Sequence, residues 1–432
     1  MYKNIVRKAF TYVLFFGLTI PLCALAVFDV LEVGNKDKPV LLDTQLQKAL
    51  EDYLTQNKAT EHISAVQLSV LLPGESQPRN FVVGTKSYGD LKPATTDMLM
   101  QWGSITKVYT DALIFKLSDN DRQFSTLETL GQLFPERFNQ TTTVSQWPQA
   151  WAGVNLIQLM NMTSGIPDYQ PILAAEVADK TNKFDPHKVY SLDEMIDIAA
   201  DYQTQKSCRA SLIYGCFDVP GSAYFYSNTN YIILGLVIEK FGKTSLTAAF
   251  NKMLLPFQNE NMQVYYYADQ YPQNIFNQMI HGYYQSSPGV FEDVTDWNMS
   301  FAASAGAMLG DARSLVEMTQ ALYQSRIVPI QELTGNAVEI ATGNPVVDPE
   351  KQCGESGEGC FGMGTAFAYE PDQGGMVYFY IGSPAGYMSD YNWIPSENLI
   401  LAVSQNAKAD TMALQGFLAN VNQIIRPYLK AR

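Results

Sequence analysis

Apolar residues recur at helical spacing in DTQLQKALEDYLTQ, which predicts an amphipathic helix over about 43–56. Two runs with strand character follow, ISAVQLSVLLP and NFVVGTKSYG; the turn-rich GESQPR between them predicts a β-hairpin. A helical run, VYTDALIFKLSD, comes next and is opened by Ser104. From 118 to 300 the pattern is mostly helical periods broken by Pro, Gly and Asn. Beyond a further helix in GDARSLVEMTQALYQS the period becomes that of strands, in GMGTAFAYE, GGMVYFYIG, GYMSDYNWIP and NLILAVSQN, before a closing helix in MALQGFLANVNQIIRPYL. Strands at both ends with helices between predict an α+β fold, with one antiparallel sheet built from both termini, flanked by helices, and an inserted, mainly helical lobe. The expected division is an α/β lobe at about 40–117 and 300–432 and a helical lobe at about 118–299, with a site in the cleft between them.

Composition narrows the function classes. The chain has 432 residues, 47% of them hydrophobic, which is enough for a sizeable core and excludes a disordered protein. The formal net charge is −14, and the first 26 residues carry Lys3, Arg7 and Lys8 without an acid, so the rest is more acidic still. A nucleic-acid partner is therefore not expected, because phosphate binding rests on clustered Lys and Arg. The basic start, the apolar AFTYVLFFGLTIPLCALA and the small-x-small end Ala24-Leu25-Ala26 predict a secretory signal peptide over 1–26, a mature domain over 27–432, and an exported, periplasmic or secreted protein. The alternative is an uncleaved anchor, since residues 9 to 28 are long enough to span a bilayer; a membrane is a partner only in that case. Leu22 stands where a small residue is needed before a lipidated cysteine, so Cys23 is not read as a lipid site.

Export leaves Cys208, Cys216, Cys353 and Cys360 in an oxidising compartment. Four cysteines allow three pairings. The simplest closes two local loops, in CRASLIYGC and CGESGEGC, whereas a four-thiolate metal site would want the shorter C-x2-C spacing.

The candidate chemistry starts at Ser104 and Lys107. Three residues apart on a helix, they share a face, so an unprotonated Lys107 can take the serine proton while free N–H groups of the first turn hold an oxyanion. Ser is also a favoured helix cap, and an S-x-x-K occurs by chance in a chain of this length. In FYSNTNYIILGLVIEKFGK, Tyr226 and Asn228 precede a long apolar helix; a phenol of lowered pKa shares base duty, and the Asn228 amide bonds both the lysine and a substrate carbonyl. The bland alternative is an Asn-rich turn capping the next helix. His62, His187 and His281 lie far from one another and from the cysteines, which argues against a His-based triad or a zinc site, and G-x-S-x-G is absent around Ser104.

MQWGSITKVYTDAL, LIQLMNMTSGIPDY, FYSNTNYIILGLVIEKFGK, SAGAMLGDARSLVEM and YIGSPAGYMSDYNWIP resemble, in order, the segments of the serine β-lactamase superfamily, in its branch of class C β-lactamases and D-alanyl-D-alanine carboxypeptidases, which also holds esterases and D-aminopeptidases. The resemblance runs from about residue 40 to 428. It implies a β-lactamase/transpeptidase-like fold, Ser104 as acylated nucleophile, Lys107 as base, Tyr226 as second base and proton donor to the leaving group, and Asn228 as a hydrogen-bonding partner. The third motif of the family maps onto Tyr380-Ile381-Gly382, where Gly382 would let substrate lie close to the strand and the Ser383 N–H would complete an oxyanion hole with that of Ser104. Lys240-Phe241-Gly242 fits the same letters but closes a helix, where Gly242 reads as a cap. Tyr380 stands where this branch commonly carries Lys or His, which disfavours penicillins and peptides ending in free D-Ala and favours a neutral ester, amide or lactone. Met162 is a second departure, at a position where relatives often show His, and reads as structural.

The resulting expectation is an exported serine hydrolase needing no metal or organic cofactor. It would act on a small-molecule or peptidoglycan-derived substrate of ester, D-peptide or β-lactam type. The alternative, which Tyr380 keeps open, is a catalytically idle scaffold that binds peptidoglycan or a partner.

Overall fold

A computed structural model describes residues 38–121, 124–139, 143–179, 183–205, 215–216, 219–258, 262–354, 358–407 and 411–430. The chain enters through helix α1 (Lys38–Glu61) and the strands β1 (Ala65–Leu71) and β2 (Arg79–Gly84). Leu42, Leu46, Leu50 and Leu54 of α1 are all buried, each four residues from the next, so the apolar stripe seen in the sequence is the face laid on the sheet. A short strand β3 (Met100–Gln101) leads into the turn that carries Ser104 and then into α2 (Thr106–Asp121).

The middle of the chain supplies the longer helices α3 (Tyr169–Ala178), α4 (Leu192–Gln205) and α5 (Asn228–Gly242). The sequence pattern suggested helices throughout this region, but it also holds β4 (Val264–Tyr266) and a hairpin, β5 (Tyr283–Ser287) and β6 (Val290–Asp293). β4 is made by pairing with β7 (Met308–Gly310), which also pairs with β3. α5 ends where expected, yet the left-handed residue beyond it is Lys243 at φ 50°, not Gly242.

After α6 (Ala312–Tyr323) come β8 (Val338–Glu339), β9 (Cys360–Phe361), β10 (Ala366–Glu370), β11 (Gly375–Gly382), β12 (Met388–Ile394) and β13 (Leu399–Gln405), and then α7 (Thr411–Lys430). The main sheet is eight-stranded and antiparallel, in the order β2-β1-β13-β12-β11-β10-β9-β8. N-terminal β1 lies directly beside C-terminal β13, with Val66 opposite Gln405 and Leu71 opposite Ile400. Every residue of β1 and β13 is buried. The polar positions of β1 therefore face protein rather than water: Gln67 donates to the carbonyls of Thr95 and Met98 and accepts from Ala312 N at the start of α6.

Cys353 and Cys360 form a disulfide with Cα atoms 5.2 Å apart, which ties down the start of β9. Cys216 is buried and disulfide-bonded. Cys208, its expected partner, lies outside the described residues, as do Cys23 and the expected signal peptide at 1–26. No helix among the described residues is long and apolar enough to cross a membrane.

Candidate active site

Two backbone segments cross at the site, and glycines allow it. Trp102 is fully buried, and its ring packs so closely on Gly310 of β7 that a Cβ there would stand 2.5 Å from Trp102 Cζ2. Gly103 then turns the chain with φ +54°, and Gly103–Ile105 form a single 3-10 turn ahead of α2. A Cβ on Gly103 would meet Pro384 Cδ at 2.5 Å, and a Cβ on Gly382, the last residue of β11, would meet Trp102 O at 1.7 Å. The space beside Gly382 is therefore filled by the Trp102 carbonyl. This corrects the expectation that Gly382 clears room for substrate.

The same crossing brings the amides of Ser104 and Ser383 together. Ser104 N lies 3.1 Å from the point where a Gly382 Cβ would stand, and Ser383 N lies 3.1 Å from the corresponding point on Gly103. Neither amide donates to a backbone carbonyl among the described residues. Two such free donors at one end of a strand can hold a developing oxyanion.

Ser104 does not cap the helix with its side chain. Its hydroxyl is 2.8 Å from Tyr226 OH and 3.0 Å from Lys107 Nζ, one turn along. Lys107 is fully buried, and its ammonium nitrogen also reaches Asn228 Oδ1 at 2.8 Å and the Ala305 carbonyl at 2.9 Å. Both of those oxygens can only accept. A protonated Lys107 donates to all three oxygens, whereas a neutral amine spends its two hydrogens on Asn228 and Ala305 and turns its lone pair to the Ser104 hydroxyl.

Burial pushes Lys107 down to about pKa 7, against the opposing pull of Asp168 and Asp111. Tyr226 goes the other way: burial raises its pKa, and only partly do the Ser104 and Tyr380 hydroxyls offset this. The expected acidic phenol is thus corrected to a neutral one, suited to giving a proton rather than resting as a base.

Asn228 opens α5, and its amide is held by a pair of residues that sequence reasoning missed. Its Nδ2 donates to Asp168 Oδ2 at 3.1 Å and to Gln170 Oε1 at 3.0 Å, while its backbone N donates to Asp168 Oδ1 at 3.2 Å. With both Nδ2 hydrogens taken, Asn228 has none left for a substrate carbonyl, which corrects the substrate-binding role expected of it; it orients Lys107 instead. Asp168 caps α3 by accepting from Gln170 N, and burial raises its carboxyl to about pKa 6. The only trace of this pair in the sequence is an Asp of ordinary capping type ahead of Tyr169.

Met162 holds the Tyr226 segment from below. At φ 64° its carbonyl accepts from Phe225 N at 2.8 Å, and its sulfur accepts from Ser227 N at 3.4 Å and Asn230 Nδ2 at 3.6 Å. Tyr380, on β11 opposite Tyr391, is buried with its ring 5.8 Å from that of Phe361. Burial raises its pKa well above the usual phenol value, and the neighbouring Tyr226 adds to this. His281 pairs with Asp293 at 2.6 Å, and His62 is stacked between Tyr88 and Phe291, so these rings are engaged elsewhere. No group of three or more His, Cys, Asp or Glu able to hold a metal occurs among the described residues.

Residues 50–417 match the Beta-lactamase family. Penicillin-binding protein 4* of Bacillus subtilis (strain 168) is 24% identical over 365 residues, which are 78% of this chain and 67% of that protein. Among solved structures, the D-amino acid amidase of Ochrobactrum anthropi SV3 superimposes with a TM-score of 0.67 at 19% identity, covering 90% of this chain and 99% of the amidase. The D-stereospecific amidohydrolase of a Streptomyces species gives 0.64 at 20% identity, over 85% of this chain and 97% of that one. The octameric penicillin-binding protein homologue of Pyrococcus abyssi gives 0.63 at 19% identity, over 86% and 76%. With the matched stretch spanning most of its length, the chain belongs to the β-lactamase family and is a serine hydrolase of the β-lactamase and penicillin-binding-protein fold.

Proposed function

We propose that the protein is an exported hydrolase that cleaves a small ester or amide through an acyl-enzyme on Ser104. The observation that carries this reading is the fixed contact of a buried lysine, held near pKa 7, with a serine hydroxyl 3.0 Å away. Neutral Lys107 takes the Ser104 proton as Oγ bonds to the carbonyl carbon, and the carbonyl electrons move onto oxygen, facing the amides of Ser104 and Ser383. When the carbon–heteroatom bond breaks, the leaving group takes the Tyr226 proton, and Tyr226 is restored from the lysine ammonium. Water then repeats the sequence on the acyl ester and frees Ser104.

The substrate class follows from charge. Tyr380 is neutral where the family commonly has a cation, so a neutral or amine-bearing acyl donor suits this site better than one with a free carboxylate. Two of the similar structures are a D-amino acid amidase and a D-stereospecific amidohydrolase, which points to amides or esters of D-amino acids as the first substrates to try. Export is supported by the apolar, base-flanked N-terminus and by the Cys353–Cys360 disulfide.

The test is intact mass after incubation with a fluorophosphonate, with penicillin and with D-phenylalanine amide, for wild type and Ser104→Ala. Phosphonate labelling and amide turnover, both lost in Ser104→Ala, are the expected result. Labelling by penicillin to the same extent would move the substrate to the cell wall, and no added mass from any probe would end the acyl-enzyme reading.

A further inference from the structure

We infer that Asp111 is a positioning residue kept as the neutral acid: its carboxyl O–H donates to Tyr231 and fixes that ring against Lys107 without setting a second anion beside the base. This rests on the acyl-enzyme reading above.

The starting point is a shortage of hydrogens. Asp111 lies on α2 one turn beyond Lys107 and is fully buried, with Tyr231 of α5 across from it. Tyr231 OH stands 2.8 Å from Asp111 Oδ2 and 3.0 Å from the Met160 carbonyl, yet it has one hydrogen for these two oxygens. The Met160 carbonyl can only accept. A full hydrogen bond at each contact therefore needs a second hydrogen, and only the carboxyl of Asp111 can carry it. With the proton on Oδ2, Asp111 donates to the Tyr231 oxygen and Tyr231 donates to Met160.

An ionised Asp111 has little to hold it. Its Oδ1 has no hydrogen-bond partner among the described residues, and Lys107 directs its hydrogens at Ser104, Asn228 and Ala305. The turn at Gly364 closes over Oδ2, where a Cβ would stand 2.8 Å away. A buried carboxylate with one shared hydrogen bond is costly, and burial raises the Asp111 pKa well above the carboxyl range against the pull of Tyr231 and Lys107. Those two are the ionisable groups that act on it, one on its own helix and one on α5; Gly364 and Met160 meet it with uncharged backbone.

The consequence falls on Lys107. Its Nζ lies 5.0 Å from the centre of the Tyr226 ring and 5.3 Å from that of Tyr231, so both rings share in the burial that holds it near pKa 7. Tyr231 is anchored there through its hydroxyl, by Asp111 and Met160. A charged Asp111 would keep the anchor but favour the Lys107 ammonium, and Ser104 would lose its base at neutral pH. The neutral acid keeps the anchor and adds no charge. Asp111 acts through Tyr231 and Lys107 and touches no substrate atom.

A pH profile and a vibrational band separate this role from a merely structural one. Wild type, Asp111→Asn and Asp111→Leu would be labelled at Ser104 by a p-nitrophenyl phosphonate between pH 5 and 9, and an infrared difference spectrum of wild type against Asp111→Asn taken at pH 8. Asn can donate to Tyr231 as the acid does, whereas Leu cannot. Asp111→Leu should slow labelling about five- to tenfold, and Asp111→Asn should recover most of that rate with its inflection within about 0.3 pH unit of wild type. The difference spectrum should show the carbonyl stretch of a protonated carboxyl in wild type alone. An inflection moved to lower pH in Asp111→Asn, the absence of that band, or Asn and Leu variants that label at equal rates would overturn the proposal. If Asp111→Leu does not fold, the Asn inflection and the band decide. If wild type and Ser104→Ala are alike unlabelled, the acyl-enzyme reading falls and takes this role with it, whereas a missing band in a wild type that labels overturns the neutral Asp111 alone.

Discussion

Lowering the pH from 8 to 5 should slow acylation of Ser104 by up to about ninetyfold. In the proposed mechanism the base is Lys107, which burial holds at about pKa 7, so its neutral fraction is about 0.9 at pH 8, about 0.1 at pH 6 and about 0.01 at pH 5. Asp168 bends this curve. Its carboxyl, raised to about 6 by burial, takes a proton in the same range and then ceases to favour the ammonium next door, so below pH 6 the fall should be shallower than tenfold per pH unit. Asp168→Asn should shift the whole inflection to lower pH, since it removes a charge that favours the ammonium form of Lys107. The assay is the second-order rate of Ser104 labelling by a p-nitrophenyl phosphonate between pH 5 and 9. A flat profile, or an inflection near 10 where an ordinary lysine titrates, would refute the assignment of Lys107 as base.

The same burial carries a stability signature of definite sign. In the unfolded chain Lys107 titrates near 10.5 and in the folded one near 7, so between these values the unfolded state binds the extra proton. Stability therefore rises with pH across that window, by roughly 5 kcal/mol from this group alone, and the cost of burying the lysine is fully present below pH 7. A Tm that climbs from pH 7 towards 10 in wild type, but not in Lys107→Met, is the matching calorimetric result.

Gly382→Ala should destabilise the fold by about 3 kcal/mol or more and abolish Ser104 labelling, because its Cβ would stand 1.7 Å from the Trp102 carbonyl oxygen; a variant that melts within a degree or two of wild type and still labels would show that the crossing is not tight. Tyr380→Lys should raise the rate of acylation by penicillin, whose carboxylate would gain a partner, while lowering Tm through burial of an ammonium; an unchanged penicillin rate would remove the account of substrate charge given above.

How much of this was legible in the sequence depended on whether a feature is periodic or made by contact. α1 and the strands β1 and β10 to β13 follow from the apolar pattern because they bury apolar residues, and β2 follows from the turn-rich segment that joins it to β1. β4, β5 and β6 did not, since β4 is three residues stabilised by β7 and the hairpin is largely exposed, leaving no apolar alternation to read. Ser104 and Lys107 are three residues apart and could be paired by eye, whereas the partner of Ser104 at Tyr226 lies 122 positions along and required the order of several motifs. What failed was anything that depends on counting donors or on burial. The Asn228 amide was assigned to substrate because the sequence does not reveal that Asp168 and Gln170 take both its hydrogens. Tyr226 was expected to have a lowered pKa because its burial was not visible in the sequence.

These corrections together alter the picture of what the site attracts. Above pH 7 Lys107 is neutral and Asp168, with a pKa of about 6, is ionised, so the hydrogen-bonded core around Ser104 rests with an excess of negative charge. Nothing in that core offers a second cation, since the other members named are Tyr226, Asn228, Gln170 and the Ala305 carbonyl. On the proposed mechanism an acyl donor bearing a carboxylate should therefore meet repulsion as well as the lack of a partner, while one bearing an ammonium should be drawn in, with an effect that salt should screen only weakly because the group responsible is buried. In the proposed reading the absence of a cation at position 380 and the presence of a carboxylate at 168 would bias selection in the same direction.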